Sequence, residues 1–320
     1  MIEKHKYIIS STNVDSQGDR MSKSALEGML PQLNGKRKPR LGLEHVRIFP
    51  PLGVIMNGEL IQKDNEHFYL TAEMVYFDEQ QIISLEDGAQ LLKQYFSEGE
   101  YPFRECNQKE SDKVIIAADP ANFDSHLDFN KIGDLISLET DLEFEIKFIS
   151  RKSELPDPEM IVTVTKTIAV ALGLIKSKVL EKVGEAIGDD LAKFYKLITK
   201  LTIEMIKRTK PSNRPKNFVI FYPNPNCDIE LVINTHKADA VLDSLKKEKT
   251  KAIVSKVEQL LNLEPEKIQF IYNENGDWEF NYLLSKSGAA IGTMKSFNRR
   301  NDMFNKILEK QNNSQVDTKQ

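Results

Sequence analysis

Leu142-Glu143-Phe144-Glu145-Ile146-Lys147-Phe148 alternates apolar and charged side chains without a break. A period of two places Phe144, Ile146 and Phe148 on one face of a strand and leaves Glu145 and Lys147 in water. Short apolar runs of the same kind precede it at 7–10, 41–43, 53–60, 68–74 and 114–118, each bounded by turn residues. The chain up to residue 149 therefore reads as β-rich. One helix is expected inside this region, over 84–97. There Ser84 and Asp87 match an acidic capping box, and Leu85, Ala89, Leu92 and Phe96 fall on one helical face. A barrel or curled sheet with a helix packed on it follows.

Beyond that stretch the punctuation changes. Pro156 and Pro158 close the strand region, and 159–207 contains no proline. Leu180, Val183, Ile187, Leu191, Phe194, Ile198 and Leu201 recur at three- and four-residue spacing, which predicts a helical connector. A basic, proline-bounded stretch at 207–215 reads as a linker. After it come strands at 218–222 and 229–234, a helix over 237–261, and strands at 268–272, 278–284 and 289–294. Asn275-Gly276-Asp277 and Ser287-Gly288 supply hairpin turns, so the last three strands form an antiparallel meander. Trp278, Phe280 and Tyr282 share one face of it, packed against the helix that starts at Lys237. A helix over 299–310 and a frayed tail at 311–320 complete the chain. The predicted organisation is a β-barrel domain (1–155), a helical connector (156–210), an α+β domain of unknown role (211–310) and a disordered tail (311–320), α+β overall.

Composition narrows the function classes. The 320 residues carry 44 basic and 48 acidic side chains, a net charge of -4 that gives no general attraction to nucleic acid or anionic lipid. Cys106 and Cys227 stand far apart, which supports neither a disulfide framework nor a thiolate metal site. With no signal-peptide pattern at the start, the chain reads as cytoplasmic. The apolar run at 160–175 is shorter than the about 20 residues that cross a bilayer and contains Lys166. No histidine pair has helical metal spacing, and no glycine-rich segment has phosphate-loop context, so no metal and no cofactor are expected. Lys36, Arg37, Lys38 and Arg40 read as a solvated charge run.

Four motifs carry a family resemblance. They are Ile8-Ile9-Ser10-Ser11-Thr12-Asn13-Val14-Asp15-Ser16-Gln17-Gly18-Asp19 ahead of a short helix at 24–30; Leu43-Glu44-His45 followed by Pro50-Pro51-Leu52-Gly53; the run 68–73 with 84–97 and Gly99; and Lys113-Val114-Ile115-Ile116-Ala117-Ala118-Asp119-Pro120-Ala121-Asn122. Their order and spacing resemble the phage capsid-maturation (prohead) protease family over about a third of the chain, ending near residue 149. The resemblance implies a curled β-barrel that performs serine peptidolysis with a histidine base and an acidic orienting group. A serine hydroxyl needs such an adjacent base to become nucleophilic.

His45 occupies the base position that the resemblance implies. No serine follows Gly99 in Tyr101-Pro102-Phe103-Arg104-Glu105-Cys106, and Lys113 stands where the family tends to place an acid. Cys106 or Ser137, the latter on a later strand, are the replacement nucleophiles, and Glu105 the replacement orienting acid. The expectation is a catalytically degenerate prohead-protease-like domain serving as a binding or assembly module with a protein or peptide partner, in phage head assembly or anti-phage defence. The rivals are an active serine- or cysteine-type endopeptidase using His45, and a membrane-acting effector using the central helices. Nucleic acid and membrane are not expected partners, and the oligomeric state is open.

Overall fold

The computed structural model describes residues 4–14, 20–63, 66–104, 111–149, 158–175, 184–224 and 226–317. Strand β1 (Lys4–Ser11) leads to helix α1 (Lys23–Asn34), β2 (Arg40–Leu41), β3 (Gly53–Gln62), β4 (Phe68–Tyr76), β5 (Glu79–Ser84) and β6 (Gln90–Tyr95). Next come β7 (Val114–Ala118), α2 (His126–Ser137), β8 (Phe144–Phe148), β9 (Glu159–Thr163), α3 (Lys166–Ala171) and α4 (Gly184–Arg208). The remainder is β10 (Lys216–Tyr222), β11 (Asp228–Thr235), α5 (Ala238–Ser244), α6 (Lys247–Leu260), β12 (Pro265–Tyr272), β13 (Trp278–Ser285), β14 (Ala290–Gly292) and α7 (Met294–Asp317). The class is mixed α+β, with a curled antiparallel sheet near the N-terminus. Contacts gather these elements into two compact units, one of Met1–Cys106 with Tyr282–Gln320 and one of Asn107–Asn281. These differ from the boundaries at 155 and 210 expected from punctuation.

In the first unit β1, β4, β3 and β2 form an antiparallel sheet in that order. Register shifts between Ile8 and Ser10 and between Met56 and Glu59 bend it. Helix α1 starts where the Ser22 hydroxyl accepts the Ala25 N–H at 3.1 Å, and it lays Leu26 and Leu33 against Leu70 and Ala72 of β4. A second antiparallel group joins the hairpin β5–β6 to β14 and to Tyr282–Ser285 of β13. Its core contains Val54, Val75, Phe96, Phe103, Leu284 and Phe297. The turn between β13 and β14 needs Gly288, which has φ 91° and leaves only 2.2 Å between an added Cβ and the Tyr101 carbonyl oxygen.

The second unit holds a mixed sheet in the order β12-β11-β10-β9-β7-β8. Its pairs β11–β12, β9–β10 and β7–β8 are parallel, whereas β10–β11 and β7–β9 are antiparallel. Helices α4, α5 and α6 contact β10, β11 and β12. The expected packing of the aromatic face on the helix after Lys237 is present in part, since Tyr282 belongs instead to the core of the first unit. Trp278 donates its indole N–H to the Ser244 carbonyl at 2.8 Å, and Phe280 meets Phe270 edge-on. Lys249 donates to Asp243, to Tyr272 Oη and to the Gly276 carbonyl, tying α5, α6 and the β12–β13 hairpin together.

Several expectations are corrected. Residues 84–97 are not a helix: Gly88 at φ 80° and the Asp87 carboxylate, which accepts the Ala89 N–H at 3.0 Å, make a turn, and 90–95 is strand β6. Apolar residues three or four apart fitted a helix, but the positive φ that glycine supplies here stops one. Ser137 ends helix α2 instead of lying on a strand. The predicted helical stretch opens with strand β9, all five residues of which are buried and therefore show no alternation. The predicted helix over 237–261 breaks where Lys246 adopts extended φ and ψ. The stretch at 207–215 lies inside the second unit, where Lys210 N–H reaches the Asn122 carbonyl at 2.7 Å and Lys216 Nζ the Pro211 carbonyl at 2.6 Å. Helix α7 begins at Met294 and runs to Asp317, through most of the expected tail.

Two outcomes follow from these contacts. Gly288→Ala is expected to lower unfolding stability by at least about 2 kcal/mol, combining left-handed strain with overpacking against backbone. Urea denaturation measures it, and an unchanged midpoint would contradict the close approach. In the Lys249 cluster, hydrogen bonds from Lys246, Lys249 and Tyr272 hold the Asp243 carboxyl well below the usual carboxylate range. A depressed folded-state pKa contributes stability above the unfolded value and loses it as pH falls. Asp243→Asn should therefore destabilise the chain near neutrality and flatten the acid limb of its stability profile below about pH 4.

Candidate functional site

The loop of residues 42–51 carries His45 and lies in the first unit. Leu43 and Phe49 are buried at its two ends, and Leu52 N–H closes its base on the Leu41 carbonyl at 2.8 Å. Pro50 and Pro51 favour extended backbone in the residues before them, so the reversal must be made in the short span from Leu43 to Phe49. Two tight turns do this, with Val46 N–H on Leu43 O at 2.9 Å and Phe49 N–H on Val46 O at 3.3 Å. The reversal puts Glu44 at φ 48° and His45 at φ 55°, consecutive left-handed residues that are not glycine. Such positions cost roughly 1 kcal/mol or more each and cluster at binding and catalytic sites. Both side chains are exposed.

Two buried groups from the C-terminal segment fix this loop. Tyr282 donates its hydroxyl to the Arg47 carbonyl at 3.1 Å and accepts from Arg40 Nη1 at 3.3 Å. Arg300, 3% exposed, donates Nη1 to the Pro51 carbonyl at 2.6 Å and Nη2 to Gln94 Oε1 at 3.0 Å. Its Nε and Nη2 also reach Asn301 Oδ1 at 3.2 and 3.0 Å, and the guanidinium lies 5.1 Å from the Phe297 ring centre. Burial pulls the Arg300 pKa down to about 10, which leaves it charged at neutral pH. The basic run ahead of the loop is also strapped down: Lys38 N–H bonds the Pro102 carbonyl at 2.8 Å, and Arg104 N–H bonds the Lys38 carbonyl at 2.7 Å. The result is a rigidly held turn that presents Glu44 and His45 to solvent.

His45 lies in a turn, not on a strand, and among the described residues nothing hydrogen-bonds its ring. Ser137 belongs to the second unit, where its hydroxyl donates to the Gly133 carbonyl at 3.0 Å one helical turn back. It lines an open polar depression with Glu139, Asp141, Lys193 and Lys196, and there Lys193 is already held by Asp141 at 3.1 Å and Asp189 at 2.8 Å. Cys106 and Glu105 lie outside the described residues. Lys113 pairs with Glu143 at 2.9 Å on the surface. The Asp119-Pro120-Ala121-Asn122 motif does form a capped turn after β7, with Ala121 N–H on Asp119 Oδ1 at 2.9 Å.

Sequence reasoning missed Arg300 and the second role of Tyr282. It also missed a buried polar row in the second unit, where Asn281 Nδ2 donates to Gln269 Oε1 at 2.6 Å and Gln269 donates to Glu230, which lies 3.8 Å from Lys267 Nζ. A charge inside an apolar strand, as in Ile229-Glu230-Leu231, is the signal that could have found it. All four side chains are sealed from solvent, so the row is poorly placed to meet a ligand. The exposed turn at His45 remains the better candidate.

His45→Gly should raise stability by about 1 kcal/mol, because glycine adopts the left-handed conformation without strain. Tyr282→Phe should lower it by about 1 kcal/mol and speed amide exchange in residues 46–49, because the Arg47 carbonyl loses its donor. Chemical denaturation and hydrogen exchange measure these effects. A stability loss in His45→Gly would show that the imidazole itself supports the fold.

The chain matches no protein-family model, no curated protein and no solved structure.

Proposed function

We propose that the protein is a prohead-protease-like binding or assembly module that does not hydrolyse peptides, acting on a protein or peptide partner in a phage-related setting. The observation that carries the reading is the state of Ser137. Its hydroxyl is committed to a carbonyl within its own helix. A serine nucleophile instead needs its hydroxyl directed at a base. The strained turn at Glu44 and His45, fixed by Tyr282 and Arg300, suits recognition, because a preorganised loop loses little entropy on binding. For the membrane-effector alternative, no helix among the described residues is long and apolar enough to cross a membrane.

The test compares the wild type with His45→Ala, Cys106→Ala and Ser137→Ala. A fluorophosphonate probe should label none of them, and none should cleave casein or itself. The proposal is overturned if the wild type cleaves and both His45→Ala and one nucleophile variant abolish cleavage while remaining folded. That result would assign an active endopeptidase with Cys106 or Ser137 as nucleophile.

A further inference from the structure

Strand β5 is the outer strand of its sheet and pairs only with β6 among the described residues. Its six residues, Glu79-Gln80-Gln81-Ile82-Ile83-Ser84, run in unbroken register from Glu79↔Tyr95 to Ser84↔Gln90, with no bulge. Five of the six side chains are exposed, Ile82 by 50%. Edge strands of soluble proteins are usually blunted by lysine, proline, a bulge or a covering element, because a bare edge templates another strand. Strand β5 itself has no lysine, proline or bulge, no other described strand pairs with its edge, and its only charge is Glu79 at one end.

The direction of the free backbone groups follows from the turn. Leu85 N–H bonds the Ala89 carbonyl at 2.8 Å. Hydrogen-bonded pairs alternate along an antiparallel ladder, so Ile83, Gln81 and Glu79 turn their N–H and C=O groups toward β6. Gln80, Ile82 and Ser84 therefore turn theirs outward. These outward residues are spaced symmetrically about Ile82, which makes the edge complementary to itself.

We infer that β5 is a dimerisation edge, pairing antiparallel with β5 of a second copy of this chain about a two-fold axis through Ile82. In that register Ile82 faces Ile82 and Gln80 faces Ser84, all as hydrogen-bonded pairs, and every outward N–H and C=O of the three residues is satisfied. Side chains agree with the backbone. The exposed Ile82 gains an apolar cross-strand partner, Gln81 lies beside Ile83, and Glu79 lies opposite Leu85, so no like charges meet within the strand. A closed two-fold contact also explains why an unguarded edge need not propagate into a fibre. The inference is independent of the proposed function, since it uses neither His45 nor the family resemblance.

Sedimentation velocity on the full-length chain, across a concentration series, tests it. The wild type should sediment with twice the monomer mass. Ile82→Lys, which sets two ammonium groups face to face, should be monomeric. Ile82→Pro removes an outward N–H without removing a β5–β6 bond and should be monomeric as well, with an unchanged circular dichroism spectrum. In that register residues 81 and 83 of the two copies form non-hydrogen-bonded pairs, whose Cα atoms lie about 4.5 Å apart, so the double variant Gln81→Cys with Ile83→Cys should give 81–83 crosslinks between copies on mild oxidation, identified by peptide mapping. The inference is overturned if the wild type stays monomeric at the highest concentration reached. It is equally overturned if the dimer survives in both Ile82→Lys and Ile82→Pro, or if the crosslink fails in a dimeric form of the double cysteine variant.

Discussion

The first unit depends on one buried cation. Arg300 gathers the Pro51 carbonyl, the Gln94 side chain and the Asn301 side chain around a single guanidinium, joining segments 249 and 206 positions apart in sequence. Hydrogen bonds to a charged donor contribute roughly 1.5–3 kcal/mol each, and their sum must exceed the cost of desolvating the ion. The partners are neutral oxygens spread in different directions. A planar fork with several N–H donors serves such a set, whereas a lysine ammonium on a flexible stem would not hold the same three directions. The pairing of β14 with β6 runs beside this contact, with Ala290 opposite Gln94. The N-terminal hairpin and the C-terminal helix thus become one folding unit, although the chain between them builds the other.

That arrangement explains what the sequence disclosed and what it hid. Local features were legible. The alternation at 144–148 is strand β8, Trp278 meets α5 as expected, and Ser287-Gly288 makes the turn between β13 and β14. Domain limits were not, because Arg300 and β14 act across distance and proline-rich stretches mark only local chain direction. The basic run at 207–215 looked like a linker, yet its backbone is bonded to Asn122 through a contact that composition cannot report. Strand β9 was hidden for a different reason. A strand buried on both faces loses its alternation, and Glu159-Met160-Ile161-Val162-Thr163 is indistinguishable by period from the start of a helix. The helix expected at 84–97 failed because the three- and four-residue spacing of Leu85, Ala89, Leu92 and Phe96 left out Leu91, which is buried beside Leu92 on the opposite face of a strand.

At the candidate site His45 was singled out by the family resemblance of Leu43-Glu44-His45 with Pro50-Pro51, while its left-handed conformation and its anchors came only with the fold. Conformation changes the chemical reading. A histidine on a strand has its ring direction set by the pleat and can be aimed at a neighbouring nucleophile. On a two-residue left-handed turn the backbone bulges outward, and the ring goes with it into solvent. Ser137 shows the reciprocal effect. On a strand its hydroxyl would be available, but in α2 the carbonyl four residues earlier lies within reach and competes for the proton.

The buried row in the second unit bears on how its sheet finds a unique register. Strands β10, β11 and β12 are buried at most positions, so a one-residue slip is resisted only weakly by the exchange of inward and outward faces. A two-residue slip keeps each side chain on its face and is resisted even less by hydrophobic burial. Polar positions remove that degeneracy. Glu230 stands opposite Gln269 in the parallel pair, and Gln269 in turn receives Asn281. Sliding β12 by two residues would put Ile271 or Lys267 opposite Glu230 and separate Gln269 from its acceptor, leaving buried groups to lose hydrogen bonds worth about 1–3 kcal/mol each. The Lys267–Glu230 distance of 3.8 Å gives a loose ion pair whose attraction barely offsets its desolvation, so register discrimination is a more economical account of the row than raw stability.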